Sequence, residues 1–251
     1  MEPHARAKAA LAAFSNGSVS EAALRRLLDR GIDRGRFELD RHPALDYQPL
    51  PWLGIGHARR EIGVATRWEA ISPWLEKLQI RTAVDLGCNV GYFPIAIGLR
   101  GIPAIGVEQD PRAVRLFRYA IGRLGLEHVG ALNLKLTPQT VQLLPMGELT
   151  IFLSLWHHLV RAYGLDQGLE MLRVVWSRSG KAMVFETGES EMPPRYGLPD
   201  FGSDPERVIT DLLLEHCPGA KVDCLGEHAA FDPTGRACRR HLFLVACDDR
   251  A

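Results

Sequence analysis

The sequence predicts an α/β protein built on a doubly wound, mostly parallel sheet. Three observations carry this. Apolar, β-rich segments alternate with amphipathic helical ones from residue 81 onward. The first strand runs straight into the glycine turn Asp85-Leu86-Gly87-Cys88-Asn89-Val90-Gly91. The chain then ends on two strands separated by the turn signal Asp232-Pro233-Thr234-Gly235. Alternating strands and helices with right-handed crossovers give a parallel sheet covered on both faces, and a closing hairpin leaves its last strand antiparallel. A chain of 251 residues is long enough for one such core plus an extension.

The elements follow in order. Residues 5–14 and 20–30 read as helices, the second capped by Ser20, and 31–57 read as an irregular connector rich in proline and glycine. A helix is expected over 58–78, with Ile62, Ala65, Trp68 and Ile71 at helical spacing and Pro73 bending or dividing it. The first strand includes Thr82-Ala83-Val84, and a helix follows over about 90–99. A second strand covers Pro103–Glu108, and Asp110-Pro111 starts a capped helix reaching Leu124. A weaker third strand is expected within 129–136, a fourth over Leu149–Leu155, a helix over 166–177 and a fifth strand over Lys181–Phe185. Residues 187–203 form a Pro/Gly loop, long enough for a lid over substrate and equally readable as plain surface. Asp204-Pro205 opens a helix to about Glu215, and the final strands fall at 220–229 and 240–247. The expected division is an N-terminal helical extension and connector, 1–57, and a catalytic domain, 58–251.

Composition narrows the function classes. Thirty basic residues balance thirty acidic ones, so nothing in the overall charge points to a polyanion-binding protein. No apolar run is long enough to span a bilayer and the N-terminus lacks a signal-peptide core, which makes a soluble cytoplasmic protein the default expectation. The cysteines at 88, 217, 224, 238 and 247 are odd in number and lack C-x-x-C spacing, which argues against a disulfide scaffold. With His216, His228 and His241 they match no standard zinc spacing, so no metal is expected.

The glycine turn is the most specific feature. Glycine permits a sharp strand-to-helix turn and lets a ligand lie on the backbone. The spacing here is G-x-x-x-G with a carboxylate two positions ahead of the first glycine. A dinucleotide fingerprint requires G-x-G-x-x-G, and a carboxylate at that place repels pyrophosphate while attracting an ammonium group. A phosphate-binding P-loop is excluded because no Gly-Lys-Ser/Thr follows.

The turn resembles motif I of the class I S-adenosylmethionine-dependent methyltransferases, roughly D/E-x-G-x-G-x-G, through Asp85, Gly87 and Gly91; Asn89 replaces the middle glycine and tolerates left-handed backbone angles. The element order extends the resemblance over about residues 60–247 and implies seven strands in a Rossmann-like arrangement. It also implies S-adenosylmethionine as cofactor. Ligands in such sheets bind at the carboxyl ends of the strands, near the switch point. Asp85, Gly87, Cys88, Asn89, Gly91 and Tyr92 are therefore the expected amino-acid end of the cofactor site. Glu108, 23 positions beyond Asp85, is the expected partner of the ribose hydroxyls. No carboxylate follows the third strand, so Thr137, Gln139 or a backbone carbonyl is left as the adenine acceptor.

After the fourth strand, Ser154-Leu155-Trp156-His157-His158-Leu159 is similar to the "LHHL"-like segment of many small-molecule members. One of His157 and His158 is a candidate base and the other a structural residue, with the assignment open. Trp156 is a candidate for the adenine face or the core. Glu186, past the fifth strand, is a candidate for orienting the acceptor, and an arginine of the helix bearing Arg59, Arg60 and Arg67 for holding an anionic one. The expected reaction is an in-line displacement onto an O- or N-nucleophile of a small molecule. The alternatives are an RNA methyltransferase, disfavoured by the lack of a basic-aromatic binding motif, and a non-catalytic domain that binds an adenosyl ligand.

Overall fold

The computed structural model describes residues 47–54 and 61–247. The helices expected at 5–14 and 20–30 lie outside them. Helix α1 (Glu61–Lys77) continues through Pro73 rather than being divided by it. Then follow β1 (Ala83–Leu86), α2 (Tyr92–Gly98), β2 (Ala104–Glu108), α3 (Pro111–Leu124), β3 (Val129–Asn133) and β4 (Gly147–Leu153). The remaining elements are α4 (Trp156–Tyr163), α5 (Leu165–Ser177), β5 (Ser179–Glu186), α6 (Pro205–His216), β6 (Ala220–Phe231) and β7 (Ala237–Cys247). The seven strands form one sheet in the order β3-β2-β1-β4-β5-β7-β6. Strands β1 to β5 are parallel to one another, while β7 runs antiparallel to both β5 and β6. The order reverses between β1 and β4, which opens a crevice at the carboxyl ends of those two strands.

The alternation of side chains along a strand divides the core between the two faces. Met183 and Phe185 of β5, with Phe243 and Val245 of β7, pack with Leu172 and Val175 of α5 and Ile209 and Leu213 of α6. Their neighbours Ala182, Val184, Leu242 and Leu244 pack on the opposite face with Ile71 and Leu75 of α1 and Phe93 and Ile97 of α2. Strands buried on both faces read as continuous apolar runs, which is how β4 and β5 appear in the sequence.

Three departures from expectation bear on the site. Helix α4 was not anticipated: the segment after β4 coils at once from Trp156 instead of passing as a loop. Strands β6 and β7 extend further than the sequence suggested, and a register shift between Cys224 and Glu227 bends β6, so that its last residues reach the carboxyl edge of the sheet. Residues 47–54, expected as connector, pack onto the domain. Leu50 is fully buried with Val90, Ile95 and Phe117, and the Trp52 ring lies 5.1 Å from that of Tyr92.

Caps agree with the sequence. Asp110 accepts the amide hydrogen of Arg112 and Asp204 that of Arg207, each followed by proline at the first helical position. Helix α3 lies close over β2 because position 106 has no side chain: a Cβ there would stand 2.5 Å from the Phe117 ring and 2.6 Å from Cys88 Sγ. Gly106→Ala is therefore expected to destabilise the fold by about 1–3 kcal/mol through overpacking, read as a lower urea midpoint with an unchanged slope.

Candidate active site

The turn between β1 and α2 is held from beneath by one carbonyl: the amide hydrogens of Gly87 and Cys88 both point to Val107 O, at 2.8 and 3.1 Å. Gly87, Asn89 and Gly91 all have positive φ, at 72°, 52° and 85°. Asn89 adopts the left-handed region where the related motif has glycine, and its side chain accepts the amide hydrogen of Val90 at 2.8 Å, a local bond that suits asparagine to this conformation. Gly91 is required by space as well as angle, since a Cβ would fall 2.1 Å from the Phe117 ring.

Glu108, at the end of β2, is fixed from both sides. Its Oε2 accepts from Asn89 N at 3.0 Å and its Oε1 from Asp110 N at 2.8 Å. Each carboxylate oxygen keeps a further lone pair, so an oriented acceptor remains at the joint between the two turns. Asp85 is different. It is 4% exposed, and its Oδ2 is buried without a hydrogen-bond partner. Burial, and then the nearby charge of Glu108, push its carboxyl well above the usual aspartate range. A buried oxygen with no partner is costly; here it marks a place where a cationic donor is missing from the protein's own inventory.

Asp85 and Gly87 line a cleft together with Val64, Phe93, Leu153 and Ser154, with Arg67 and Arg240, and with Ala229–Phe231 at the end of β6. Tyr47 and Gln48 close it from the N-terminal side; Gln48 Oε1 accepts from Tyr92 N at 3.4 Å. A buried ionic network forms the other wall. Arg67 Nε donates to Glu186 Oε2 at 2.5 Å, and Ser154 Oγ donates to Glu186 Oε1 at 2.5 Å. Arg240 Nη1 donates to Ser154 Oγ at 3.2 Å and its Nε to Glu191 Oε1 at 2.7 Å. Ser154 itself sits at φ 52°, an uncommon angle for serine, at the end of β4 where the crevice opens.

The expected site residues thus fall into groups. Asp85, Gly87, Asn89, Gly91 and Glu108 converge on the turn. The Cys88 side chain points into the packing under β2, where burial, then Asp85 and Glu108, raise its thiol pKa. Tyr92 is buried against Trp52 and Phe93. Trp156 is wholly within the core, its Nε1 donating to Gly168 O at 2.8 Å and its ring 6.1 Å from that of Phe185; it does not line the cleft. Nor does either histidine. His157 is buried, and its Nδ1 accepts the Gly188 amide hydrogen at 2.8 Å. Burial, then His158 and Arg240, lower its pKa well below the usual imidazole value, consistent with a neutral ring acting as a backbone acceptor. His158 is exposed. The Glu186 carboxylate is committed to Arg67 and Ser154, so it positions those two side chains. The Thr137 hydroxyl is engaged locally with Thr140.

The loop 187–203 contributes nothing to the cleft lining. It is tied down behind the ionic wall, with Glu189 accepting from His241 N at 2.6 Å and with Tyr196 and Phe201 buried. Among the described residues no group of three or more His, Cys, Asp or Glu side chains is placed to hold a metal ion. Ser154, Arg240, Gln48 and the end of β6 were not singled out from the sequence. Arg240 alone left a trace, as a charge at the start of an otherwise apolar strand.

No protein-family model matches the chain. The fold has counterparts among solved structures. Magnesium protoporphyrin IX methyltransferase (ChlM) from Synechocystis PCC 6803, solved with bound SAM, superimposes with a TM-score of 0.59 at 14% identity, covering 86% of this chain and 96% of that one. The fold is that of the class I S-adenosylmethionine-dependent methyltransferases. The bifunctional kinase-methyltransferase WbdD shares this methyltransferase fold with the chain, at a TM-score of 0.64 and 20% identity over 84% of this chain and 46% of that one. Two curated Escherichia coli proteins described as "O-antigen chain terminator bifunctional methyltransferase/kinase WbdD" are each 25% identical over 167 residues, 65% of this chain and 22% of theirs. The chain therefore spans less than a quarter of the length of the curated relatives it matches.

The buried Asp85 has a pH signature. Its raised folded-state pKa means that the unfolded chain releases this proton first, so its contribution to stability is present below the ordinary aspartate pKa and is lost as pH rises. Asp85→Asn should raise the melting temperature of the ligand-free protein, by an increment that grows as pH rises above the ordinary aspartate pKa of about 3.9. His157→Phe leaves the Gly188 amide without its acceptor and should cost about 1–3 kcal/mol in denaturant titrations, whereas the exposed His158→Ala should stay within about 0.5 kcal/mol of the parent.

Proposed function

We propose that the chain is an S-adenosylmethionine-dependent methyltransferase that delivers a methyl group to an oxygen or nitrogen nucleophile of a small molecule. The observation that carries this reading is the buried, unpartnered Oδ2 of Asp85, lining a cleft beside a left-handed glycine turn. A carboxylate in that state calls for an ammonium donor, which the methionyl end of the cofactor has. Glu108, oriented by two backbone amides, retains lone pairs for two hydroxyl donors of a ribose. Gly87 presents bare backbone to the cleft, with Leu155 already close behind it. The ChlM structures, one with SAM and one with SAH, support the choice of cofactor by likeness of fold.

Bound there, the cofactor supplies an electrophilic methyl group. The protein's part is to hold donor and acceptor together and to exclude water. Val64, Phe93 and Leu153 form the apolar wall, and the ionic network fixes the opposite side. Among the described residues no histidine lines the cleft, and positioning and fixed charge can supply much of a barrier reduction. No helix among the described residues is long and apolar enough to cross a membrane.

Titration calorimetry with S-adenosylhomocysteine tests the reading. The parent should bind, and Asp85→Ala and Glu108→Ala should each weaken binding by at least about tenfold, or 1.4 kcal/mol. Unchanged affinity in both variants would remove the cofactor from this turn.

A further inference from the structure

The cleft has two chemically distinct ends. Asp85 stands at the carboxyl end of β1, whereas Glu186 and Ser154 stand at the ends of β5 and β4, and Arg240 on β7. In the sheet order, β5 is two strands from β1, about 10 Å across the sheet. Arg67 reaches this second half from α1.

The five N–H groups of an arginine allow a full inventory for Arg67. Nε donates to Glu186 Oε2, and Nη1 donates to Gly63 O at 2.7 Å and to Ala229 O at 2.8 Å. That leaves Nη2, both of whose hydrogens lack an acceptor among the described residues. The side chain is 9% exposed, and the residue lines the cleft. Its guanidinium is thus held by three bonds, with Nη2 left open, on a side chain that lines the cleft. Arg240, 5% exposed, is held by Glu191, Ser154 and Phe231 O on the same wall. Two immobilised guanidinium groups at one end of a small cleft, with the ill-solvated Asp85 carboxyl at the other, form an oriented polarity. With each guanidinium paired to a glutamate, the distinction lies in donors: an anionic oxygen meets an acceptor, Asp85, at the β1 end and the open Nη2 of Arg67 at the β5 end.

We propose that the methyl acceptor carries an oxyanion, a carboxylate or a phosphate, that docks on the open Nη2 edge of Arg67 with Arg240 beside it. This rests on the methyltransferase reading for the word acceptor, while the anion site itself rests only on the geometry. The two Nη2 hydrogens diverge, so each is offered singly to an anionic oxygen, and such charge-assisted bonds are about twice as strong as neutral ones. A neutral hydroxyl accepting there makes only a half-charged bond and gains less. Glu186, which accepts from Arg67 Nε and Ser154 Oγ, acts as the positioning residue that fixes the orientation of the Arg67 guanidinium.

The test is calorimetry on the whole chain with three probes that share a phenyl ring: benzoate, phenyl phosphate and benzyl alcohol, each with and without saturating S-adenosylhomocysteine. The parent should bind at least one anion about tenfold or more tighter than the alcohol, and the tighter of the two anions identifies the source as carboxylate or phosphate. Arg67→Lys keeps the charge opposite Glu186 but removes Nη2. It should bring the three probes within about threefold of one another while leaving S-adenosylhomocysteine affinity near that of the parent. Equal binding of all three probes by the parent overturns the proposal, as does an anion preference that survives in Arg67→Lys. Overturning it too is a loss of S-adenosylhomocysteine binding in that variant with the anion preference intact, which assigns Arg67 to the carboxylate of the cofactor. If thermal melting shows that Arg67→Lys does not fold, Arg240→Lys replaces it and the parent's anion-to-alcohol ratio decides. Failure of the parent to bind S-adenosylhomocysteine sinks the methyltransferase reading alone, because the anion preference is also measured without it.

Discussion

The carboxyl edge of the sheet depends on the space filled by Phe117. Its ring occupies the volume that Cβ atoms at positions 91 and 106 would need, so helix α3 can lie against β2 and beneath the first turn only because both positions are glycine. This contact sets the height of the turn over the sheet. It fixes where the Asn89 amide meets Glu108, and through the Val107 carbonyl it fixes the amides of Gly87 and Cys88. Asp85 is then left at the strand end with burial but without a partner. A small packing fact under the turn thus becomes an electrostatic fact above it.

The two halves of the cleft are built by different means. The β1–β2 half is local: residues 85 to 110 supply the carboxylates, the glycines and the bonds that orient them. The β4–β5–β7 half is assembled from distant pieces, for Arg67 meets Glu186 across 119 residues of sequence and Arg240 meets Ser154 across 86. Buried ion pairs add little net stability, since desolvation offsets most of the attraction, but leaving one partner alone costs about 3–5 kcal/mol. Their value here lies in geometry. Glu186 and Glu191 hold two arginine side chains in single orientations, and a long flexible side chain is thereby made into a fixed donor surface.

This difference explains what could be read in the sequence. The local half was legible because its residues are adjacent and each has a conformational or charge signature: Asp85 before a glycine turn, Asn89 at a left-handed position, Glu108 at the end of the next strand. The strands were legible as apolar runs, and α3 and α6 by their Asp-Pro starts. The second half was not. Arg67 reads as one more arginine on an arginine-rich helix, and its partner is invisible at that distance. Helix α4 was missed because it starts directly after Ser154 with no side-chain cap, although Leu159, Val160 and Tyr163 carry a helical spacing. Once that segment coils, Trp156 and His157 turn inward, so a pair of histidines expected at the cleft becomes one core acceptor and one surface residue.

The carbonyl of Ala229 has a consequence for how the protein comes into being. Arg67 has emerged from the ribosome long before residue 229 exists, and at a synthesis rate of about 5–20 residues per second it waits on the order of ten seconds for the group that completes its bonding. The glycine turn, with its short-range partners, forms on the early part of the chain, while the arginine wall is finished only when the final hairpin adds to the sheet's edge, as expected of contacts of high sequence separation. The arginine wall is therefore complete only once β7 has joined the sheet, and loss of that strand would take Leu242, Phe243, Leu244 and Val245 out of the core as well as Arg240 off the cleft wall.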